Sequence, residues 1–236
     1  MTPSEQGLAR IAAALYLLLI PLGVFGILYV PEFIWVEGDQ AATLANIEAH
    51  TNAIRWSILT AFGIQITQLF LVVALYYLLR QFGNTMAAFM VLFTLATMPI
   101  AMLNELCRVA GLMLLNSESL STVFNRDQLD AATLFAFQLH ADGIMIAHIF
   151  WGLWLIPMGW LVAKARFLPS IVGWLLIIGG IGYCLDTLTW FALGTDRLFI
   201  AQYTFIGEVL LPLALLYRAF RPGKTDNFNA VEPATN

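Results

Sequence analysis

The residues in this sequence that could do chemistry are few, and most are set in apolar surroundings. The stretch FQLHADGIMIAHIFWG, residues 137–152, carries His140, Asp142 and His148, so two of the chain's three histidines share it with a carboxylate between them. Glu105 and Arg108 stand three apart in LNELCR, Asp186 lies in GYCLDTLTW and Glu208 in YTFIGEVLL, while Gln65 and Gln68 add amides. Inserting Asp, Lys or Arg at the middle of a membrane helix costs roughly 2.5–3.5 kcal/mol, so such residues pair, hold a proton or bind something. Glu105 and Arg108 are neighbours on one helix face and read either as a self-neutralising pair or as part of a site. Asp186 and Glu208 have no opposite charge on their own helices. Each must find one elsewhere or stay protonated, which makes them the stronger functional candidates.

Several chemistries can be weighed on spacing. Zinc needs three or four N, O or S ligands converging at about 2.0–2.3 Å. His140 and His148 are about 12 Å apart along a helix and some 80° apart around it, so one ion cannot take both from a straight helix. No HExxH or other metal-ligand spacing occurs, and the sequence points to no metal. A pair of axial haem ligands would have to face each other from different helices, and no cofactor is named by any motif. No serine stands one turn from a histidine in a way that suggests nucleophilic hydrolysis. Gln65 and Gln68 read as helix–helix hydrogen-bond partners, and Phe150, Trp151 and Trp154 as packing.

The elements that must position these groups are membrane helices. The 236 residues are 60% hydrophobic and 11% charged, with a mean hydropathy of +0.80, whereas a soluble domain carries about 25% charged residues. Segments 11–30, 56–79, 86–103 and 168–185 contain no Asp, Glu, Lys or Arg, 143–163 has only His148 to titrate, and 198–217 is interrupted only by Glu208. About 20 apolar residues cross a ~30 Å hydrocarbon core as a helix, and the alternation of a membrane barrel is absent. The expected fold is all-α, a polytopic six-helix bundle with spans at about 7–30, 55–80, 85–115, 128–164, 168–194 and 198–218. Residues 1–221 form one membrane domain, and the polar tail 222–236 is expected to be disordered. The first span is too long for a signal-peptide core, no small-residue cleavage pattern follows it, and it reads as an uncleaved anchor. Cys107 and Cys184 fall inside spans and make no disulfide framework.

Charge sets the expected sidedness. Arg10, Arg80, Lys164, Arg166, Arg218, Arg221 and Lys224 collect on one side, and the segment 31–52 on the other is acidic. The positive-inside bias then places both termini in the cytoplasm. GDQAATLANIEAHTN predicts a short surface helix leading into the second span, Asn125 and Gln128 a capping pair at the start of the fourth, and Pro169 the first turn of the fifth. No basic cluster suggests nucleic acid, and no internal repeat suggests an inverted-repeat transporter.

Three stretches carry a family resemblance: ARIAAALYLLLIPLGVFGILYV, GDQAATLANIEAHTNAIRWSI, and the long FQLHADGIMIAHIFWGLWLIPMGWLVAKARFLPSIVGWLLIIGGIGYCLD. Together they resemble a widespread family of bacterial integral membrane proteins known by a domain-of-unknown-function label, over nearly all of residues 7–220. The resemblance implies six helices in a bacterial inner membrane. It implies no activity and transfers no catalytic residue.

Counting residues inward from the expected surfaces puts Glu105, Arg108, His148 and Asp186 in the outer half of the bilayer and Glu208 near the midplane, with His140 and Asp142 at the rim. The expectation is one shared polar cavity lined by Glu105, Arg108, His140, His148, Asp186 and Glu208. Arg108 would meet an anionic group, and His148 with Asp186 would form a titratable pair. Such a cavity would bind a small or amphipathic ligand, a lipid headgroup or a cation or proton. A metal-dependent intramembrane hydrolase and an accessory subunit of a larger complex are the rival readings. The expected partners are the lipid bilayer, a lipid-like ligand, and a membrane-complex partner or a second copy of the chain.

Overall fold

The computed structural model describes residues 2–115, 117–194 and 199–220; the expected tail, Arg197 and Leu198 lie outside them. Eight helical elements follow in order: α1 (Ser4–Ile34), α2 (Gln40–Ala49), α3 (Thr51–Phe82), α4 (Asn84–Leu115), α5 (Glu118–Ser121), α6 (Arg126–Lys164), α7 (Ser170–Leu193) and α8 (Ala201–Phe220). Six of them, α1, α3, α4, α6, α7 and α8, are long and apolar enough to cross a membrane. The protein is an all-helical, multi-pass membrane protein. Large apolar side chains such as Leu28, Phe70, Leu103, Phe135 and Ile171 stand exposed around its outside. In a lipid environment that surface needs no further cover, since helices satisfy their main-chain hydrogen bonds within each segment except at the ends.

Packing runs around the bundle in chain order: α1 on α3, α3 on α4, α4 on α6, α6 on α7, α7 on α8, and α8 back on α1. At the closing seam Arg10 Nη2 donates to the Ala219 carbonyl at 3.2 Å, so the start of the first helix lies beside the end of the last. One large apolar core fills this end of the bundle, with Ala12, Leu75, Leu78, Met90, Leu155, Met158, Leu161 and Leu215 among its members. A smaller one at the other end joins Val30, Ile34, Ile47, Ile54, Ile58, Leu112 and Phe137.

The α6–α7 hairpin is the closest contact. A Cβ at Gly180 would stand 2.6 Å from the Gly152 carbonyl oxygen, and one at Gly159 would stand 2.5 Å from that of Gly173. Gly152 and Gly159 are seven apart, as are Gly173 and Gly180. Small residues at heptad spacing on two antiparallel helices let the backbones approach directly, which is how helices associate where lipid removes the hydrophobic drive between them.

Local signals account for several ends. Asn125 Oδ1 accepts from Gln128 N at 2.9 Å and Gln128 Oε1 from Asn125 N at 3.0 Å, the reciprocal cap the spacing predicts for α6. The surface helix expected before α3 is α2, capped by Asp39 on Ala42 N. Pro169 stands one place earlier than expected, as the residue flanking α7, which begins at Ser170. Within α1, past Pro21, residues Val24–Tyr29 form a π-helical turn, with Val30 N–H donating to the Phe25 carbonyl five residues back. Nothing in VFGILY foretells it.

Candidate functional site

The polar side chains form two groups and one isolated cap, where the sequence suggested a single cavity. The first group is built on α3, α4 and α6. Arg108 Nε donates to Glu105 Oε2 at 2.8 Å, and its Nη2 closes a second, shorter contact on the same oxygen. Arg108 Nη1 reaches across to Ser57 Oγ on α3 at 2.7 Å. The other carboxylate oxygen, Oε1, lies 3.2 Å from His140 Nε2. Glu105 and Arg108 are each 5% exposed and His140 is 7% exposed. Within this set Glu105 is the acceptor for both a guanidinium and an imidazole, so charge is balanced locally. Asn104 secures the frame by donating to the His140 carbonyl at 2.9 Å, which it can do because a Cβ at Gly143 would collide with its side-chain amide. Gly143 is therefore a docking notch.

His140 was expected at a wetted rim and is instead buried and bonded. The depth count took α6 as a straight post with Lys164 at the surface. α6 has 39 residues, about 58 Å at 1.5 Å per residue, nearly twice the ~30 Å hydrocarbon core. The smaller apolar core, contributed by the end of α1, by α2 and by α3, covers this level of the bundle. Asp142 stays half-buried near the surface, accepting from Gln138 Nε2 at 3.3 Å.

A cleft runs past this network. Its rim chamber, about 130 Å³, is lined by Ile27, Pro31, Ile34, Trp35, Ile54 and Phe137. A deeper chamber of about 40 Å³ is bounded by Gly26, Gln65, Ala101, Asn104, Glu105 and Trp151. Arg108, His140, Ile27 and Ile144 line both, so the polar network stands at the junction. Gln65, expected to be a helix–helix link, makes no such link: its side-chain oxygen is buried without a hydrogen-bond partner. The π-helical turn of α1 supplies Gly26 and Ile27, and such turns recur at functional sites. Ser57, Asn104 and Gln65 were not foreseen as members, since lone amides and hydroxyls in a span read as ordinary helix contacts.

His148, Asp186 and Glu208 are absent from the lining of this cleft. Asp186 is neither unpartnered nor paired with His148. Its Oδ1 accepts from Ile200 N at 2.5 Å and its Oδ2 from Ala201 N at 3.0 Å, so it caps α8 from the neighbouring helix. The signal was available in the sequence. Ile200 precedes α8 and can offer no side-chain cap, so the exposed N–H groups there must be satisfied from elsewhere. His148 finds no carboxylate either. Its ring packs on Trp151 (4.7 Å between ring centres) and edge-on to Tyr183 (5.2 Å), and its Nδ1 is buried without a partner. Glu208 belongs to this second group. It is faced by the phenols of Tyr16 and Tyr183, with Tyr16 stacked in turn on Trp154 at 6.3 Å. Among the described residues no three His, Cys, Asp or Glu side chains converge as metal ligands would.

Comparison with known proteins gives a relative and a family, neither with an assigned activity. The chain is 29% identical over 163 residues to an uncharacterized protein of Archaeoglobus fulgidus, a match that covers 69% of this chain and 83% of the relative. No solved structure matches it. The model of the domain of unknown function DUF4386 matches residues 11–219, which is every spanning helix in whole or large part. With the six-helix bundle and a family match over most of its length, the chain belongs to the DUF4386 family.

Proposed function

We propose that the cleft between α1, α3, α4 and α6 binds a small amphipathic molecule, its apolar body in the rim chamber and its polar head at the junction. The observation that supports this most directly is the placing of Arg108 and His140 on both chambers beside a Gln65 amide oxygen that has no protein partner. The rim chamber is close in size to the ~150 Å³ apolar cavity that admits a benzene ring. Arg108 is already neutralised by Glu105, so the junction has little net charge with which to hold a phosphate or a free cation. It favours a neutral head that both donates and accepts, such as a hydroxyl or a carbonyl-bearing group. By the charge bias of the connections, the termini face the cytoplasm and the membrane is the plasma membrane, the inner one in a bacterium with two.

The test is organic extraction of the purified protein, washed in detergent, followed by mass spectrometry. Wild-type protein is expected to release one amphiphile at close to one molecule per chain. Ala101→Phe, which fills the deeper chamber, should release less than a tenth as much while unfolding at a similar denaturant concentration. An empty wild-type cleft, or equal release from a folded Ala101→Phe variant, would leave the polar network as a packing device and end the ligand reading.

A further inference from the structure

The second polar group is outside the lining of the cleft, meeting its wall where His148 packs on Trp151, and it is not closed by its own hydrogen bonds. Tyr16 is 4% exposed and its hydroxyl has no partner. Glu208 Oε1 is likewise buried without one, although the phenols of Tyr16 and Tyr183 face that carboxyl. His148, whose Nδ1 is the third buried atom without a partner, packs against the Tyr183 ring. Tyr16, Tyr183 and Glu208 come from α1, α7 and α8 at matching depths, and His148 adds α6. Tyr16 is 12 residues from Ser4, Glu208 is 12 residues from Phe220, and Tyr183 is 13 residues from Ser170. Each distance is about 18–20 Å at 1.5 Å per residue.

Glu208 has no cation to balance it. The ion pairs among the described residues engage Arg108, Arg126 and His140, and none reaches Glu208. The helices packed against α8 are α1 and α7. They present Tyr16 and Tyr183 to it, while the nearby Asp186 is held by the main chain at the start of α8. A carboxylate here would be an uncompensated buried charge, at a cost of several kcal/mol. A carboxylic acid would be neutral, and with the two phenols it would offer both donors and acceptors to a shared water. Each polar group left unmade costs about 1–3 kcal/mol, and buried water typically makes about three hydrogen bonds to such groups.

We propose that Tyr16, Tyr183 and Glu208 form a proton-binding site within the membrane, in which Glu208 carries a proton at neutral pH and shares an ordered water with the Tyr16 hydroxyl. His148 stands behind Tyr183 as the next titratable group. The site is independent of the amphiphile cleft, and neither needs the other.

Infrared spectroscopy of the purified protein in lipid nanodiscs tests it. Wild-type protein at neutral pH is expected to show the carbonyl stretch of a protonated carboxylic acid, shifted by transfer to heavy water and lost in Glu208→Gln. Asp186→Asn should leave the band in place. Tyr16→Phe should keep the band but move its frequency, because the water loses an anchor; this variant also serves if Glu208→Gln does not fold. Absence of the band in wild-type protein, its survival in Glu208→Gln, or an unmoved frequency in Tyr16→Phe would each overturn the proposal.

Discussion

Arg108 is buried and Glu208 half-buried within the bundle, and the protein treats them in opposite ways. Around Arg108, charge is cancelled locally: Glu105 and Ser57 accept from its guanidinium, and His140 meets the other oxygen of Glu105. Around Glu208 no cation is available, and three polar atoms on Tyr16, His148 and Glu208 itself are left open. A charge network of the first kind is fixed, because removing any member exposes the rest. A neutral site of the second kind can gain or lose a small polar occupant without dismantling its walls. One region thus braces the wall of the cleft with paired charges, and the other stays neutral.

The largest effect should come from breaking the paired charges. Arg108→Gln leaves Glu105 buried without its cation and is expected to lower stability by about 3–5 kcal/mol, read from unfolding in mixed detergent micelles. The double variant Glu105→Gln/Arg108→Gln should recover much of that loss. Glu208→Gln should move stability by less than about 1 kcal/mol in either direction, since a neutral amide replaces a neutral acid of the same shape and no charged partner is orphaned. If the two single variants cost the same, the contrast between the regions fails.

Asp186 sharpens the comparison from a third side. It resembled Glu208 in the sequence, as a lone carboxyl in an apolar helix, and a site carboxyl of that kind would tolerate Asp186→Asn. Its two main-chain partners assign it to capping, so Asp186→Asn should cost about 1–3 kcal/mol, because one of its acceptor oxygens becomes a donor facing an N–H group. Unchanged stability would return Asp186 to the functional candidates.

The architecture was legible because charge-free runs and end signals act locally. The six spans, the surface helix α2 and the Asn125–Gln128 cap all depend on neighbours in sequence. The site was legible only in its inventory. Pairing Glu105 with Arg108 follows from helix geometry, but Ser57, His140 and Asn104 join them through contacts between helices, and the order of packing leaves no mark on any one segment. Depth counting failed for His140 because α6 is far longer than a bilayer is thick and α2 helps cover that level. It failed to separate Glu105 from Glu208 because depth says nothing about which side of a bundle a residue faces.

The smallest effect is expected outside the membrane core. Arg126 joins Glu48 on α2 and Asp130 on its own helix, and all but Asp130 are well exposed. Arg126→Ala should cost below about 1 kcal/mol and lose even that at high salt. A larger loss would mean that α2 is held down by this contact and that the cover over His140 depends on it.

The glycine contacts of α6 and α7 have a mechanical consequence. With carbonyls nearly touching where side chains would stand, at Gly152 against Gly180 and Gly159 against Gly173, these two helices behave as a single stiff plate. The opposite wall of the cleft is the π-helical turn of α1, where one extra residue is looped into the helix. Closing that bulge into regular α-helix would turn everything beyond it, Pro31 and Trp35 included, by about 100°. Entry to the cleft is thus a hinge on one side and an anvil on the other.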